Sequence, residues 1–400
     1  MLNYSVTAIS YEKEMKYILV FPGNGIQYVG MCKKLCDNYP IANEIFEQAN
    51  QILGFDLKKL CLKGSLAKLS KLEVSQAAIL TASYIMYKVY IESNNIVPIA
   101  ATGHSLGEIT ALLCSGAMSF EETLKLVYYR SLYINEAKGK SILIDDADEY
   151  SLKKIIKRIG SNNIYISCYN SPSQFMVSCT DEEYDELFEQ LKQSEFSITP
   201  MFNSGPVHCP LLSEAADKLK EYIRDFSFND MAFPVLSGIS AKAYSGKDEI
   251  PHNLYNQLTN SVCWDKVMQK IENSECECVI EVGPKSILTE LMINNTIMKN
   301  TFSLDTPEGI KEFEENYLKK GIENSRIVRE YIRDVIALKN NMKNYDEDDY
   351  NNKVCFPYNK MKEIYEKYTD EGIDFSEKDM KVIKDYADMI KRTKQAFIYE

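Results

Sequence analysis

One serine sits where serines become nucleophiles. Ser105 is the centre of Gly-His-Ser-Leu-Gly (103–107), between the apolar run NIVPIAAT and the stretch LGEITALLC, which reads as a helix beginning at about Leu106. Glycine-x-serine-x-glycine at a strand-to-helix junction is the nucleophile-elbow pattern. Gly103 and Gly107 remove side chains that would collide in so sharp a turn, and the hydroxyl then stands above the sheet. The backbone N–H of Leu106 falls where it can stabilise an oxyanion. The chemistry indicated is nucleophilic attack by the serine, which requires a base within reach.

The chain has three histidines. His104 adjoins Ser105 and so points away from it, as a structural hydrogen-bonding residue. His252, in the polar stretch EIPHNLYN, reads as a solvated loop residue. His208, in NSGPVHCPLL, follows a strand-like run and precedes an apolar helix start, from where it can project toward the upper edge of a sheet. Elimination makes His208 the base. No Asp or Glu between Ser105 and His208 stands out as a third member.

A glycine-rich stretch, FPGNGIQYVGM (21–31), follows the apolar run YILV. It is not a phosphate loop, because Gln27, Tyr28 and Val29 stand where a terminal Lys-Ser or Lys-Thr would be needed. The spacing of Gly23, Gly25 and Gly30 also misses the dinucleotide fingerprint. Such a loop can instead aim a backbone N–H at a developing negative charge.

The elements that must position these residues form an α/β pattern. Strand-like runs such as KYILVFPG and NIVPIAAT alternate with helical stretches such as QAAILTASYIMYKVYIES over roughly the first 300 residues. Between 138 and 205 the texture changes to KSILID, DEYSLKKIIKRIG, NIYISCYN, QFMVSC, DEEYDELFEQLKQS and SITPMFNSG. That β-α-β-β-α-β order predicts a ferredoxin-like subdomain inserted into a core made of 1–137 and 206–305. CECVIEVGP returns to the main sheet, with Glu281 as a structural strand end. Residues 306–400 read as a charged, helical C-terminal extension.

The composition bounds the partners. With 400 residues, 45% of them hydrophobic, the chain can bury a full core. A net charge of −12 argues against nucleic acid. No apolar run approaches the ~20 residues of a membrane span. The N-terminal stretch lacks the basic start and apolar run of a secretory leader. Eleven cysteines are scattered without paired spacings, as expected of reduced thiols in a cytoplasmic protein.

Taken in order, FPGNGIQYVGM, SQAA, GHSLGE, LVYYRSLY, CYNSPSQFMVS, GPVHCPLL, NQLTNSVCW and EVGPKSILTEL resemble the malonyl-CoA:acyl-carrier-protein transacylase family, including the free-standing, trans-acting acyltransferases of polyketide synthases. These motifs span roughly residues 17 to 305, and the tail resembles the C-terminal extensions of some trans-acting members. The resemblance implies an α/β-hydrolase-like core and a malonyl transfer from malonyl-CoA to the phosphopantetheine thiol of an acyl carrier protein, in fatty acid or polyketide biosynthesis. No bound cofactor or metal is implied. Asn24 matches the residue whose N–H is the second oxyanion donor, although the family usually carries Gln there. Gln257 matches the residue whose backbone carbonyl holds the imidazole N–H, in place of a triad acid. Arg130 matches the arginine that grips the malonyl carboxylate, and a guanidinium fork suits that task. Gln76 and Asn170 match cleft residues, Asn170 being equally placed as a turn residue. Val207 stands where α-substituent selectivity is partly set; it leaves malonyl as the expectation, with methylmalonyl or another branched unit open.

An acyl hydrolase of the same fold and a silent docking protein are the alternatives; a carboxylate clamp at Arg130 favours transfer over hydrolysis, and Ser105, His208 and Arg130 kept together argue against a silent protein. Lys153, Lys154, Lys157 and Arg158 form the densest basic cluster, either a surface for an acidic carrier or a solvated helix face.

Overall fold

The apolar run Tyr17–Phe21 forms β1, flanked on both sides by parallel partners. β2 (Ala100–Gly103) pairs Ile18 with Ala100 and Phe21 with Gly103, and β8 (Cys278–Glu281) pairs Tyr17 with Cys278. β9 (Thr301–Ser303) adds to β8, giving a parallel sheet in the order β2-β1-β8-β9. Helices cover both faces of such a sheet, which is why its strands read as unbroken apolar runs. Leu19, Val20, Phe21, Val279 and Ile280 are fully buried. A lone parallel bridge, Ala101 to Val235, continues past β2.

A second sheet holds β3 (Lys140–Asp145), β4 (Ile164–Ser171), β5 (Gln174–Cys179) and β6 (Ser197–Pro200) in antiparallel order β6-β3-β5-β4. The helices Glu149–Ile159 and Asp181–Lys192 bury Leu152, Leu187 and Leu191 against Ile142, Phe175 and Val177. Asp148 caps the first helix by accepting from Ser151 N–H. The sheet has a fifth strand that the sequence pattern does not show. β7 (Val262–Cys263) runs parallel to β4, so the layer is completed by chain from outside 138–205.

The computed structural model describes residues 16–94, 96–201, 205–317, 328, 331–336, 347–371 and 376–396. Residues 1–15, read above for a leader, lie outside them, as does the start of the acidic stretch at 344–346. The chain divides into two compact units, Met1–Gly309 and Ile310–Glu400. The second includes the helices Phe356–Glu371 and Glu377–Ala396 and has its own apolar cluster around Val335, Met361, Ile383 and Ile390. Among the described residues, no helix is long and apolar enough to cross a membrane. All eleven cysteines are free thiols.

Candidate active site

β2 ends at Gly103, and the helix Leu106–Cys114 begins three residues later. Ser105, at the bend, has φ 53° and ψ −107°, a conformation that costs a non-glycine residue roughly 1–3 kcal/mol. Packing enforces it. A Cβ on Gly107 would lie 1.8 Å from the Phe21 carbonyl oxygen, and one on Gly103 would lie 2.1 Å from the Gly107 carbonyl carbon. Only glycine lets this helix press onto β1 and β2. The N–H groups of Gly107 and Glu108 donate to the His104 and Ser105 carbonyls. Leu106 is the first helical residue, and an N–H in that position has no intrahelical acceptor.

His208 is brought to the serine from the other sheet. Ser178 Oγ, on β5, accepts from Val207 N–H at 3.1 Å and donates to Val207 O at 3.2 Å, and Ser141 Oγ, on β3, donates to Gly205 O at 2.9 Å. His208 Nε2 lies 2.7 Å from Ser105 Oγ, while Nδ1 lies 2.6 Å from the Gln257 carbonyl oxygen. A carbonyl only accepts, so the ring proton sits on Nδ1 and the Nε2 lone pair faces the serine. Burial, followed by the charge of Arg130, pushes His208 down to about 3, against the opposing pull of the Gln257 carbonyl. The imidazole is therefore neutral and ready to accept a proton.

Arg130, on the helix Phe120–Glu136, is only 2% exposed. Its Nη1 donates to Gln76 Oε1 at 2.9 Å, and its Nη2 donates to Gln257 Oε1 at 3.2 Å and to Ser105 Oγ at 3.5 Å. Its Nε is buried without a hydrogen-bond partner. A buried cation beside the nucleophile, with a donor unused, is suited to an anionic group on the acyl chain.

The remaining residues fall around this centre. Asn170 Oδ1 lies 2.9 Å from His104 Nε2, and its amide donates to Gln174 Oε1 at 3.0 Å. Register shifts in β4 between Tyr169 and Ser171 mark a bulge at this asparagine, a device that re-aims a side chain. Asn24 is exposed in the loop after β1, and its Oδ1 accepts from Ser75 Oγ at 2.8 Å. That loop passes close to the elbow, since a Cβ on Gly23 would lie 2.8 Å from His104 O. His252 stands in the first turn of the helix Ile250–Thr259, not in a loop, and pairs with Asn256 at an exposed site away from the serine. Glu281 ends β8 fully buried, accepting from the N–H groups of Leu288 and Thr289. A cleft of about 440 Å³ opens beside His208 and is lined also by Lys153, Lys157, Tyr165, Tyr169 and Asn260. Lys154 and Arg158 are not among its lining residues.

The profile of the acyl transferase domain matches residues 18–350. The chain belongs to that family. It is 33% identical over 282 residues to the malonyl CoA-acyl carrier protein transacylase of Escherichia coli K12, covering 69% of this chain and 91% of that one. A polyketide-biosynthesis malonyl CoA-acyl carrier protein transacylase of Bacillus velezensis is 32% identical over 278 residues, covering 68% and 94%. Among solved structures, a malonyl-transacylase in complex with its type II polyketide synthase acyl-carrier protein superposes with a TM-score of 0.70 at 29% identity, covering 75% of this chain and 100% of that one.

Two features of this acyl transferase escaped the sequence reading. Gln257 contributes its side chain as well as its carbonyl. Glu108, the last residue of GHSLGE, is fully buried behind it. A carboxylate opening an otherwise apolar helix was the available signal, since buried Glu is rare unless paired.

Proposed function

We propose that this acyl transferase moves a malonyl group from malonyl-CoA to the phosphopantetheine thiol of an acyl carrier protein, in fatty acid or polyketide biosynthesis. The observation that carries the reading is the chain Gln257 O, His208, Ser105, with the Arg130 guanidinium against the same serine oxygen. In the first step Ser105 Oγ attacks the thioester carbonyl as His208 Nε2 takes its proton. The N–H groups of Leu106 and Asn24 hold the oxyanion. The C–S bond breaks, CoA leaves as the thiol with the proton from His208, and malonyl-serine remains with its carboxylate on Arg130. In the second step the carrier thiol gives its proton to His208 and attacks the ester, and Ser105 leaves with that proton. Both steps are displacements at one carbonyl, so neither calls on a metal or redox cofactor.

Gln76 and Gln257 orient the guanidinium in this reading, Asn170 bears on the site through His104, and Val207, beside the base, leaves malonyl as the expected unit. The strand order β6-β3-β5-β4 with its two helices supports assigning 138–205 as a ferredoxin-like subdomain within a hydrolase-like core, 1–137 and 206–305. We assign 306–400 as a helical extension. Lys153 and Lys157, on the cleft wall, are the basic groups offered to an acidic carrier. Unpaired thiols throughout fit a cytoplasmic setting.

Intact mass after mixing with malonyl-CoA tests the reading. A malonyl adduct on Ser105 that a holo carrier protein discharges is expected. CoA release without an adduct would indicate a hydrolase, and no change at all a silent protein.

A further inference from the structure

Arg130 presents an electrostatic problem. Among the described residues its nitrogens meet only neutral oxygens, those of Gln76, Gln257 and Ser105. A guanidinium removed from water needs a negative charge nearby. Glu108 supplies it from one residue further away. Glu108 Oε1 accepts from Tyr244 Oη at 2.6 Å, and Oε2 accepts from Gly238 N–H at 3.1 Å and from Gln257 Nε2 at 2.8 Å. Burial raises the Glu108 pKa, and the donors converging on these oxygens, with the Arg130 charge beyond them, act the other way and favour the ionised carboxylate, which accepts and never donates. Burial pulls Arg130 down to about 10, and the charge of Glu108 acts in the opposite direction.

Gln257 stands between the two charges. Its Nε2 donates to Glu108 and to Ser105 O at 3.1 Å, and its Oε1 faces the Arg130 Nη2 at 3.2 Å. We propose that Glu108 is a positioning residue for carboxylate recognition: it balances the charge of Arg130 from one side chain away, and it locks the Gln257 amide with oxygen toward the guanidinium. A carboxylate in direct contact with Arg130 would occupy the donors that a malonyl group needs. No countercharge at all would leave a buried cation unsupported. The interposed amide avoids both, keeping the arginine charged and its fork open. An amide free to invert would set its NH2 against the guanidinium and push the fork out of place.

The proposal rests on reading Arg130 as the malonyl clamp, and its test is chosen to fail separately. In the full-length chain, Glu108→Gln releases the amide. The swap Glu108→Gln with Gln257→Glu keeps net charge and size but moves the anion into contact with Arg130, while the backbone carbonyl that holds His208 is retained. Serine acylation by malonyl-CoA and by acetyl-CoA is measured for each variant, with a thermal melt to check the fold. The malonyl-to-acetyl ratio of kcat/KM is expected to fall by about tenfold or more in both, carried by the KM for malonyl-CoA. Should Glu108→Gln fail to fold, the swap carries the test, since it restores an anion to the pair. An unchanged ratio in a folded variant, or an equal loss for both thioesters, overturns the role of Glu108. If Arg130→Ala itself lowers both thioesters equally, the clamp reading fails instead.

Discussion

In the parallel sheet, contact with the site is made by backbone: Gly103 and Gly107 admit no Cβ, and Ser105 is held in a strained turn between β2 and its helix. In the antiparallel sheet, contact is made by side chains. Ser178 holds the Val207 backbone next to the base, and Asn170 reaches across to His104. The first region has nothing that can relax, because a displaced backbone moves the nucleophile. The second can lose one hydrogen bond and keep its shape. Reaction chemistry should therefore depend on the parallel sheet all or none, and on the antiparallel sheet by degrees.

The largest effect belongs to the elbow serine and to the base that meets it, the reacting groups themselves rather than the contacts that hold them. Ser105→Ala should abolish the acyl adduct and transfer, and His208→Ala should lower turnover by about 10⁴-fold, because both steps need the base. Mass spectrometry and a discontinuous transfer assay read the two. If His208→Ala turns over almost normally while His252→Ala does not, the base is wrongly assigned.

Arg130 separates recognition from chemistry. Removing one partner of a buried, charge-assisted fork costs about 2–5 kcal/mol, roughly 30- to several-thousand-fold. Arg130→Ala should lose malonyl acylation on that scale while the slow acetyl reaction stays level or rises, since acetyl has no carboxylate to lose. Lys at this position should rescue only in part, because an ammonium cannot reproduce the fork.

The pH profile sharpens the same point. A base acts in its neutral form, so a lowered pKa moves the acid limb downward. With His208 at about 3 in place of the usual 6.5, kcat/KM for malonyl-CoA should hold nearly level from pH 8 to pH 5. A base at 6.5 would lose about 30-fold by pH 5. A midpoint near 6.5 would show that burial and Arg130 do not act on His208 as the geometry implies.

What could be read from the chain follows the same division. The elbow was legible because glycine, serine and the strand-to-helix junction are adjacent in sequence. The order β-α-β-β-α-β was legible because each element there has its own apolar period. Glu108, the Gln257 side chain and Ser178 were not, because each matters through a partner more than twenty residues distant. β7, two residues long, is too short to carry a period. His252 was misread as a loop residue because its helix opens with Pro251 and polar residues, which mimic a turn.

Asn170 tests the side-chain region. It is only 8% exposed, and its Oδ1 meets the His104 ring. Asn170→Ala should cost two part-buried hydrogen bonds, to His104 and to Gln174, about 1–3 kcal/mol in stability. Its effect on acylation should be smaller than that of Arg130→Ala and equal for malonyl and acetyl thioesters. A loss confined to malonyl-CoA would place Asn170 in substrate recognition, and the graded picture would give way to a shared one.

The smallest effect is expected from the second unit. Its buried residues, Val335, Met361, Ile383 and Ile390 among them, form a cluster of their own, and from about Gly321 onward the sequence offers no nucleophile or base in a catalytic context. Every residue placed in the mechanism lies before Gly309. A chain ending at Tyr317 should therefore still acquire malonyl on Ser105 at close to the full-length rate, provided circular dichroism and a cooperative melt show that it is folded. Discharge by the carrier protein is measured separately, because a docking role for the tail would slow that step and leave acylation untouched. Loss of acylation in a demonstrably folded truncation would make the tail part of the active site.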